Sequence, residues 1–239
     1  MSSGFPNRPR ILRGAFVEFG LSVPPLFVVF QFNPVQLTRN RALTFAFPGA
    51  AGSGSGGDQS ATVPQRTARE CRAEVSNLRD LQKQQLVTVG DQTIGFDIRL
   101  DATDKLNDGD TLTGQFGIAP QIATLEQMVT PKEESLLGTA VDTLLGGNSG
   151  FSFTRSANPP MILFIFGRQR VYPVNINALN ITETEFSASL NPIRATVSVN
   201  LTVIEGKSAP YVYTKATTEV MSVLNLANVA DIANVVIPG

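Results

Sequence analysis

The sequence contains no histidine, and this absence bears on both catalysis and metal binding. Histidine is the commonest general base, the commonest transition-metal ligand and the usual base of a catalytic triad. Tryptophan is absent too, and only three tyrosines are available to line a concave aromatic binding site. We therefore expect a protein that is not an enzyme, and we predict no catalytic, cofactor-binding or metal-binding residues.

Cysteine occurs once, at Cys71. A single cysteine cannot form an internal disulfide, and it has no second thiol for a redox pair. We interpret Cys71 as a small structural residue.

Charged residues make up only 16% of the chain, and the net charge is -1. An average soluble protein has about 25% charged residues. Low charge suits a subunit whose surface is covered by neighbours, although a surface rich in Gly, Ser, Thr and Asn would also be soluble. With no field of one sign, we predict no nucleic-acid partner.

Membrane insertion and secretion are not expected either. The longest apolar runs, residues 26–32 and 161–167, are too short to span a bilayer. Residues 1–13 are polar and lack the apolar segment of a secretory signal. We predict a cytoplasmic protein with no direct membrane insertion.

Alternation of apolar and polar residues predicts a mainly β protein. In residues 92–100 and again in residues 193–204, every second residue is apolar, which is typical of half-buried strands. The run 161–166 is apolar at every position, which predicts a strand covered on both sides. Further strands are predicted over residues 14–20, 26–32, 43–47, 171–176 and 180–186.

Helices are predicted in three places. Pro120–Val129 has Ile122, Leu125 and Val129 on one face. A second helix begins at Thr130, with a capping box completed by Glu133, and carries an apolar stripe as far as Leu145. The tail is helical from about Thr218, and residues 69–86 show no clear period.

Three motifs that could carry chemistry are interpreted as loops. The Gly/Ser stretch 49–57 lacks the Lys-Ser or Lys-Thr of a phosphate-binding loop. The aspartates of Asp101–Asp110 are out of register for an EF-hand, so we expect a solvated loop. Ser149, in Gly147–Gly150, has no histidine to serve as its base.

Several segments resemble a known family. Phe30–Pro34 reads FQFNP and is followed by Leu37 and Arg39, which is similar to the opening of the tube-like domain of contractile injection systems. Later segments, in the order expected for that domain, are Pro159–Pro160, Phe164–Arg170, Val171–Val174, Ile181–Thr182, Phe186 and Leu190–Ala195 leading into Val197.

The resemblance implies a split antiparallel β-barrel with flanking helices, in an α+β, mainly β class. It also implies a homo-oligomer, a hexameric ring coaxial with the inner tube, with inner tube, sheath, hub, spike or cap proteins as partners. We divide the chain into a tube-like domain, residues 1–206, with a flexible Gly/Ser loop at 48–65, and a helical extension, residues 207–239. The expected function is a structural adaptor between inner tube and baseplate hub.

Two features depart from the family pattern. Residues 207–239 are too short and of the wrong pattern for the LysM module that follows in baseplate adaptors, and the Gly/Ser insertion is not part of the pattern. A cap-proximal ring is therefore an open alternative. So is a soluble module that binds glycans or a cargo protein.

Overall fold

A computed structural model describes residues 12–20, 26–47, 67–131, 158–225 and 227. The chain forms two compact units, one made of Met1–Arg39 with Thr93–Gly239 and the other of Asn40–Gln92. The predicted Gly/Ser loop 48–65, the Ser149 loop and nearly all of the helix predicted from Thr130 lie outside the described residues.

Seven strands of the described residues form one antiparallel sheet, so the fold is mainly β with a few helices. The sheet is not closed, and its strand order is β2-β1-β5-β6-β7-β4-β3. The strands are β1 (Ala15–Glu18), β2 (Phe27–Val29), β3 (Leu37–Ala46), β4 (Leu86–Asp101), β5 (Ile162–Ile165), β6 (Val171–Phe186) and β7 (Pro192–Val203).

Six helices lie between and after the strands in the described residues. Only the last two exceed seven residues, so the sheet dominates the architecture. The helices are α1 (Ala68–Ala73), α2 (Leu78–Gln84), α3 (Thr103–Asn107), α4 (Thr111–Phe116), α5 (Ala119–Val129) and α6 (Ala209–Leu224).

The core of the first unit is built around four phenylalanines. Phe96 and Phe164 stack with ring centroids 5.0 Å apart, and Phe16 meets Phe30 edge-on at 5.2 Å. Such aromatic pairs add about 1 kcal/mol each to the burial of apolar area. Helix α5 closes this core with Ile122, Leu125 and Met128.

The predicted strand faces are confirmed where alternation was clearest. In β4, Ile94, Phe96, Ile98 and Leu100 are buried. In β7, the alternate residues from Ala195 to Val203 are buried, and they pair in register with those of β4. Alternation places residues of one parity on one side of a sheet, so both strands present a single apolar face to the core.

The second unit has much less buried apolar material. Its sole buried hydrophobic residue among those described is Phe47, with the guanidinium of Arg72 lying 5.7 Å above its ring. Helix α1 begins with a capping box between Thr67 and Glu70, and Asn77 caps α2. Large apolar side chains of this unit are at least half exposed at Leu43, Leu78, Leu86 and Val89.

Four sequence interpretations need correction. Residues 69–86, without a clear period, contain two helices marked by their caps, α1 and α2. The Asp101–Asp110 segment is not a loop throughout, because it contains α3 and ends at Asp110, whose carboxylate caps α4. The tail helix starts at Ala209 and not near Thr218.

The fourth correction concerns β6. The two strands predicted over residues 171–176 and 180–186 are one 16-residue strand. Register shifts, one of them between Ile176 and Ala178, carry the chain across the interval without breaking the ladder to β7. A bulge disturbs the alternation, which explains why the pattern suggested two separate elements.

Candidate functional site: the outward face of the sheet

The outward face of the sheet in the first unit is divided into two regions of different chemistry. Residues paired across neighbouring strands share a face, so the register defines rows of outward side chains. On β2, β1 and β5 these rows are entirely apolar, and we call them the apolar section. Its rows are Val29–Ala15–Ile165 and Phe27–Val17–Leu163.

The apolar section is only partly covered. Phe27 is 60% exposed and Val29 48%, while the other four side chains are intermediate. The sequence predicted that β5 is covered on both sides. That prediction holds for its inward residues, Ile162 and Phe164, whereas the outward side is half covered. Apolar side chains arranged in a contiguous group at the surface are typical of an interaction site.

The apolar section ends at an open sheet edge. Strand β2 pairs with β1 on one side, and in the described part of the chain no strand pairs with its other side. The bonds from Glu18 N to Leu26 O and from Phe30 N to Gly14 O fix the pattern of this ladder. In such a ladder, alternate residues direct their backbone groups away from the partner, and here these are Phe27 and Val29. An open edge of this kind can accept another strand.

Strands β4, β7 and β6 present a polar outward face, which we call the polar section. Most of its side chains are uncharged amides and hydroxyls, and its two charged residues, Asp97 and Arg99, have opposite signs. Its rows are Thr93–Thr202–Asn175, Gly95–Asn200–Ala178, Asp97–Ser198–Asn180 and Arg99–Thr196–Thr182.

Hydrogen bonds across the strands fix side chains of the polar section. The hydroxyl of Ser198 donates to Asp97 Oδ1 at 2.7 Å. The amide of Asn177, at the bulge beside this face, donates to Thr202 Oγ1 at 2.5 Å. The result is a surface of small polar groups with little net charge.

An ion-pair cluster closes one end of the polar section. Arg194 Nε lies 2.7 Å from Asp101 Oδ2, and Arg194 Nη1 lies 2.6 Å from Glu185 Oε1. Partial burial by itself raises the pKa of Asp101, but hydrogen bonds from Thr103 and Arg194 outweigh it and hold that pKa below its usual value. The cluster joins the ends of β4, β7 and β6.

The residues of the FQFNP segment have structural roles. Phe30 is fully buried among the core phenylalanines, and Gln31 Oε1 accepts from Asp101 N at 2.9 Å. Asn33 Oδ1 accepts from Gly14 N at 2.9 Å, and its Nδ2 donates to Leu12 O at 2.8 Å. These hydrogen bonds therefore hold the start of β1 and the end of β4 against the segment that follows β2.

The segment Leu190–Ala195 has comparable roles. Leu190 has a positive φ of 61° in the turn before β7. Asn191 Nδ2 donates to Gln115 O at 2.5 Å, and Pro192 O accepts from Ile118 N at 2.9 Å. Gly117, just before Ile118, has no room for a side chain, because a Cβ there would lie 2.0 Å from Pro192 O. These contacts hold the turn between α4 and α5 against the start of β7.

Other candidate features of the described residues are slight. The described residues form small cavities of about 150 and 250 Å³, and among these residues no group of three or more Cys, Asp or Glu side chains could hold a metal ion. Cys71 is a free thiol of intermediate exposure. No helix among the described residues has the length and hydropathy needed to cross a membrane.

The chain matches no protein-family model, and it has no significant match among curated proteins. The resemblance to the tube-like domain therefore depends on the motifs in the sequence. The apolar section was not predicted from the sequence, although the unbroken apolar runs at residues 26–30 and 161–166 indicate strands that are apolar on both faces. A strand that is apolar at consecutive positions has two apolar faces, and only one can face its own core.

Proposed function

We propose that this chain is a structural ring subunit of a contractile injection system and acts as an adaptor between the inner tube and the baseplate hub. The observation that carries the proposal is the divided outward face, in which an apolar section beside an open edge adjoins a nearly uncharged polar section. The sequence motifs that resemble the tube-like domain, in their expected order, are the reason for proposing a contractile injection system.

The apolar section is the proposed contact with neighbouring subunits. Covering Phe27, Val29 and the half-buried residues beside them removes apolar area from water, which stabilises association by about 25 cal/mol per Å². A strand or loop of the next subunit, lying along the edge of β2, would also form hydrogen bonds with the backbone groups of Phe27 and Val29 that point away from β1. Such a contact joins two different surfaces, so it is heterologous and closes into a ring under rotational symmetry.

The polar section is the proposed wall of the lumen. A conduit must let a tube or an effector pass without binding it, which favours hydrated, uncharged side chains such as those of Ser198 and Asn200. In this proposal the open sheet belongs to a tube-like split barrel, and the ring is hexameric. The low charged fraction, 16%, fits a subunit with large covered surfaces.

Electron microscopy combined with mass measurement of the purified protein tests the proposal. We expect closed rings, and labelled protein at the junction between tube and baseplate in intact particles. Label at the opposite end of the tube would contradict the baseplate position and favour a cap-proximal ring. A protein that stays monomeric at all concentrations and is absent from particles would refute the ring.

A further inference from the structure

A small groove with a basic lining, here called the basic groove, lies at the turn between β5 and β6. It has a volume of about 250 Å³, and Arg168 and Arg170 line it together with Phe166, Asn33 and Leu12. No described residue of the lining is acidic. An anion in the basic groove would therefore meet two guanidinium groups and no carboxylate of the lining.

The turn that carries the two arginines is held on two sides. Phe166 N donates to Arg170 O at 2.9 Å, which closes the turn. From helix α6, Tyr213 Oη donates to Arg168 O at 2.9 Å, and Thr217 Oγ1 donates to the next carbonyl along the chain at 3.0 Å. A fixed turn loses little conformational entropy when it binds a ligand.

The guanidinium of Arg170 is placed by an aromatic ring. It lies 5.8 Å from the centre of the Phe166 ring, which is within the range of a cation–π contact. Arg170 is half-buried, whereas Arg168 is exposed. Each arginine presents a planar fork of donors that matches the oxygens of a carboxylate or a phosphate. One fork is therefore held beside the groove, and the second can turn towards a ligand.

Neither guanidinium is neutralised by a carboxylate among the described residues, where the ion pairs belong to Lys83 and Arg194. Arg194 is a structural arginine, held between Asp101 and Glu185 at 2.7 and 2.6 Å. The arginines of the basic groove have no such partners, so they create a local positive potential and keep donors available for a ligand.

The backbone of the turn offers further donors. Gly167 has a φ of 77°, in the left-handed region that glycine adopts without strain. Within the described part of the chain, the amides of residues 167–169 donate to no backbone carbonyl. Successive amides of a turn that lack backbone partners form anion-binding concavities in proteins. The backbone therefore favours the same class of ligand as the two side chains.

The basic groove adjoins one end of the apolar section. Gly14 and Phe166 belong to its lining. The residues next to them in sequence, Ala15 and Ile165, pair as a row of the apolar section. A protein that covers the apolar section can therefore bring a carboxylate to the groove, and a free phosphate ion would meet the same donors.

We propose that the basic groove binds an oxyanion, a carboxylate or a phosphate group, through the guanidiniums of Arg168 and Arg170. Binding requires only residues of one chain. The inference therefore goes beyond the proposed function and does not depend on it, because the groove is complete in a ring subunit and in a monomer alike.

Isothermal titration calorimetry of the full chain with inorganic phosphate tests the groove, with sodium chloride keeping the ionic strength constant. We expect saturable binding with a Kd of about 1 mM, as for a small anion held by a few charge-assisted hydrogen bonds. The variant R168Q/R170Q should weaken this binding by about tenfold or more, because both forks are removed.

The matched control is R79Q/K83Q, which removes two positive charges from exposed side chains of α2 and leaves the groove unchanged. It should bind phosphate like wild type. Arg168→Lys keeps the charge but not the planar fork, so it should weaken binding by less than R168Q/R170Q does. Circular dichroism checks folding. If the double variant unfolds, Arg168→Gln replaces it, since this side chain is exposed, and should weaken binding by about threefold or more.

A second titration, with acetate, identifies the source of the oxyanion. Binding of phosphate alone would assign the groove to phosphate groups, and binding of acetate would assign it to carboxylates as well. No saturable binding of either anion up to about 50 mM would overturn the inference. Equal binding by wild type and R168Q/R170Q would also overturn it, as would an equal loss in R79Q/K83Q, because net charge alone would then explain the effect. None of these results bears on ring assembly, which electron microscopy tests separately.

Discussion

The apolar and polar sections lie on the same outward face and belong to the same hydrogen-bonded sheet, yet they differ in almost every side chain. Phe27, Val17 and Leu163 form one row, whereas Asp97, Ser198 and Asn180 form another. The inward face behind both is uniformly apolar over most of its length. Folding depends on the inward residues, so the outward residues are where the two regions acquire different roles.

The two sections also differ in strand length. Strands β1, β2 and β5 have three or four residues, while β4, β6 and β7 have 12 to 16. Short strands at a sheet margin form few hydrogen bonds with their neighbours. Their apolar outward side chains add to stability only when another surface covers them. Long strands tolerate a polar outward face because their ladders and inward residues already hold them.

The largest effect is expected from placing a charge on the inward face. Val199→Asp would bury a carboxylate beside Phe96 at a position that is 4% exposed, and should destabilise the fold by on the order of 4 kcal/mol. Urea unfolding measures this loss, and association should disappear with it.

The adjacent residue provides the control for that substitution. Ser198→Ala removes one hydroxyl from the polar section and its bond to Asp97, with an expected cost of about 1 kcal/mol or less. If Val199→Asp unfolds at the same urea concentration as Ser198→Ala, the assignment of the two faces is wrong.

A smaller effect on stability, but a large one on assembly, is expected from a charge in the apolar section. Phe27→Lys affects a side chain that is 60% exposed, so the free energy of unfolding should change by about 1 kcal/mol or less. Association should weaken by about tenfold or more, because a charged side chain cannot be covered without cost. Analytical ultracentrifugation measures the association.

The same substitution in the polar section provides the matched test. Asn200→Lys adds the same charge at an exposed outward position and should leave both stability and association close to wild type. Equal loss of association in the two variants would mean that the two sections do not differ in role.

The smallest effect concerns the ion pairs at the end of the polar section. Hydrogen bonds from Thr103 and Arg194 lower the pKa of Asp101 from 3.8, so the ionised form stabilises the fold at neutral pH. This contribution is complete above about pH 4 and is lost as the pH falls through the lowered pKa. The stability difference between wild type and Asp101→Asn should therefore shrink in acid.

Thermal melting between about pH 7 and pH 2.5 measures this difference. Asp108→Asn is the control, because the Asp108 carboxylate forms no hydrogen bond or ion pair with the described residues and its removal should leave the pH profile unchanged. An Asp101→Asn difference that is constant across the range would show that the side chain acts through shape and not through charge.

Much of the sheet could be predicted because strict alternation of apolar and polar residues arises when one face of a strand is buried. Strands β4 and β7 alternate for most of their length, so their faces followed directly from the sequence. Helices α1 to α4 were missed because each is short. Only the caps Thr67, Asn77 and Asp110 marked α1, α2 and α4, and α3 begins without a side-chain cap. The apolar section was missed because a run such as residues 162–165 has no polar residue to distinguish inside from outside.

The sequence by itself determined the mainly β class, the inward faces of the long strands and the position of α5, since periodicity is a local property. The neighbours of each strand were decided only by the tertiary structure. Pairing β1 with both β2 and β5 gathers separate apolar runs into one surface. Long-range pairing cannot be derived from local patterns because it depends on which faces are buried together.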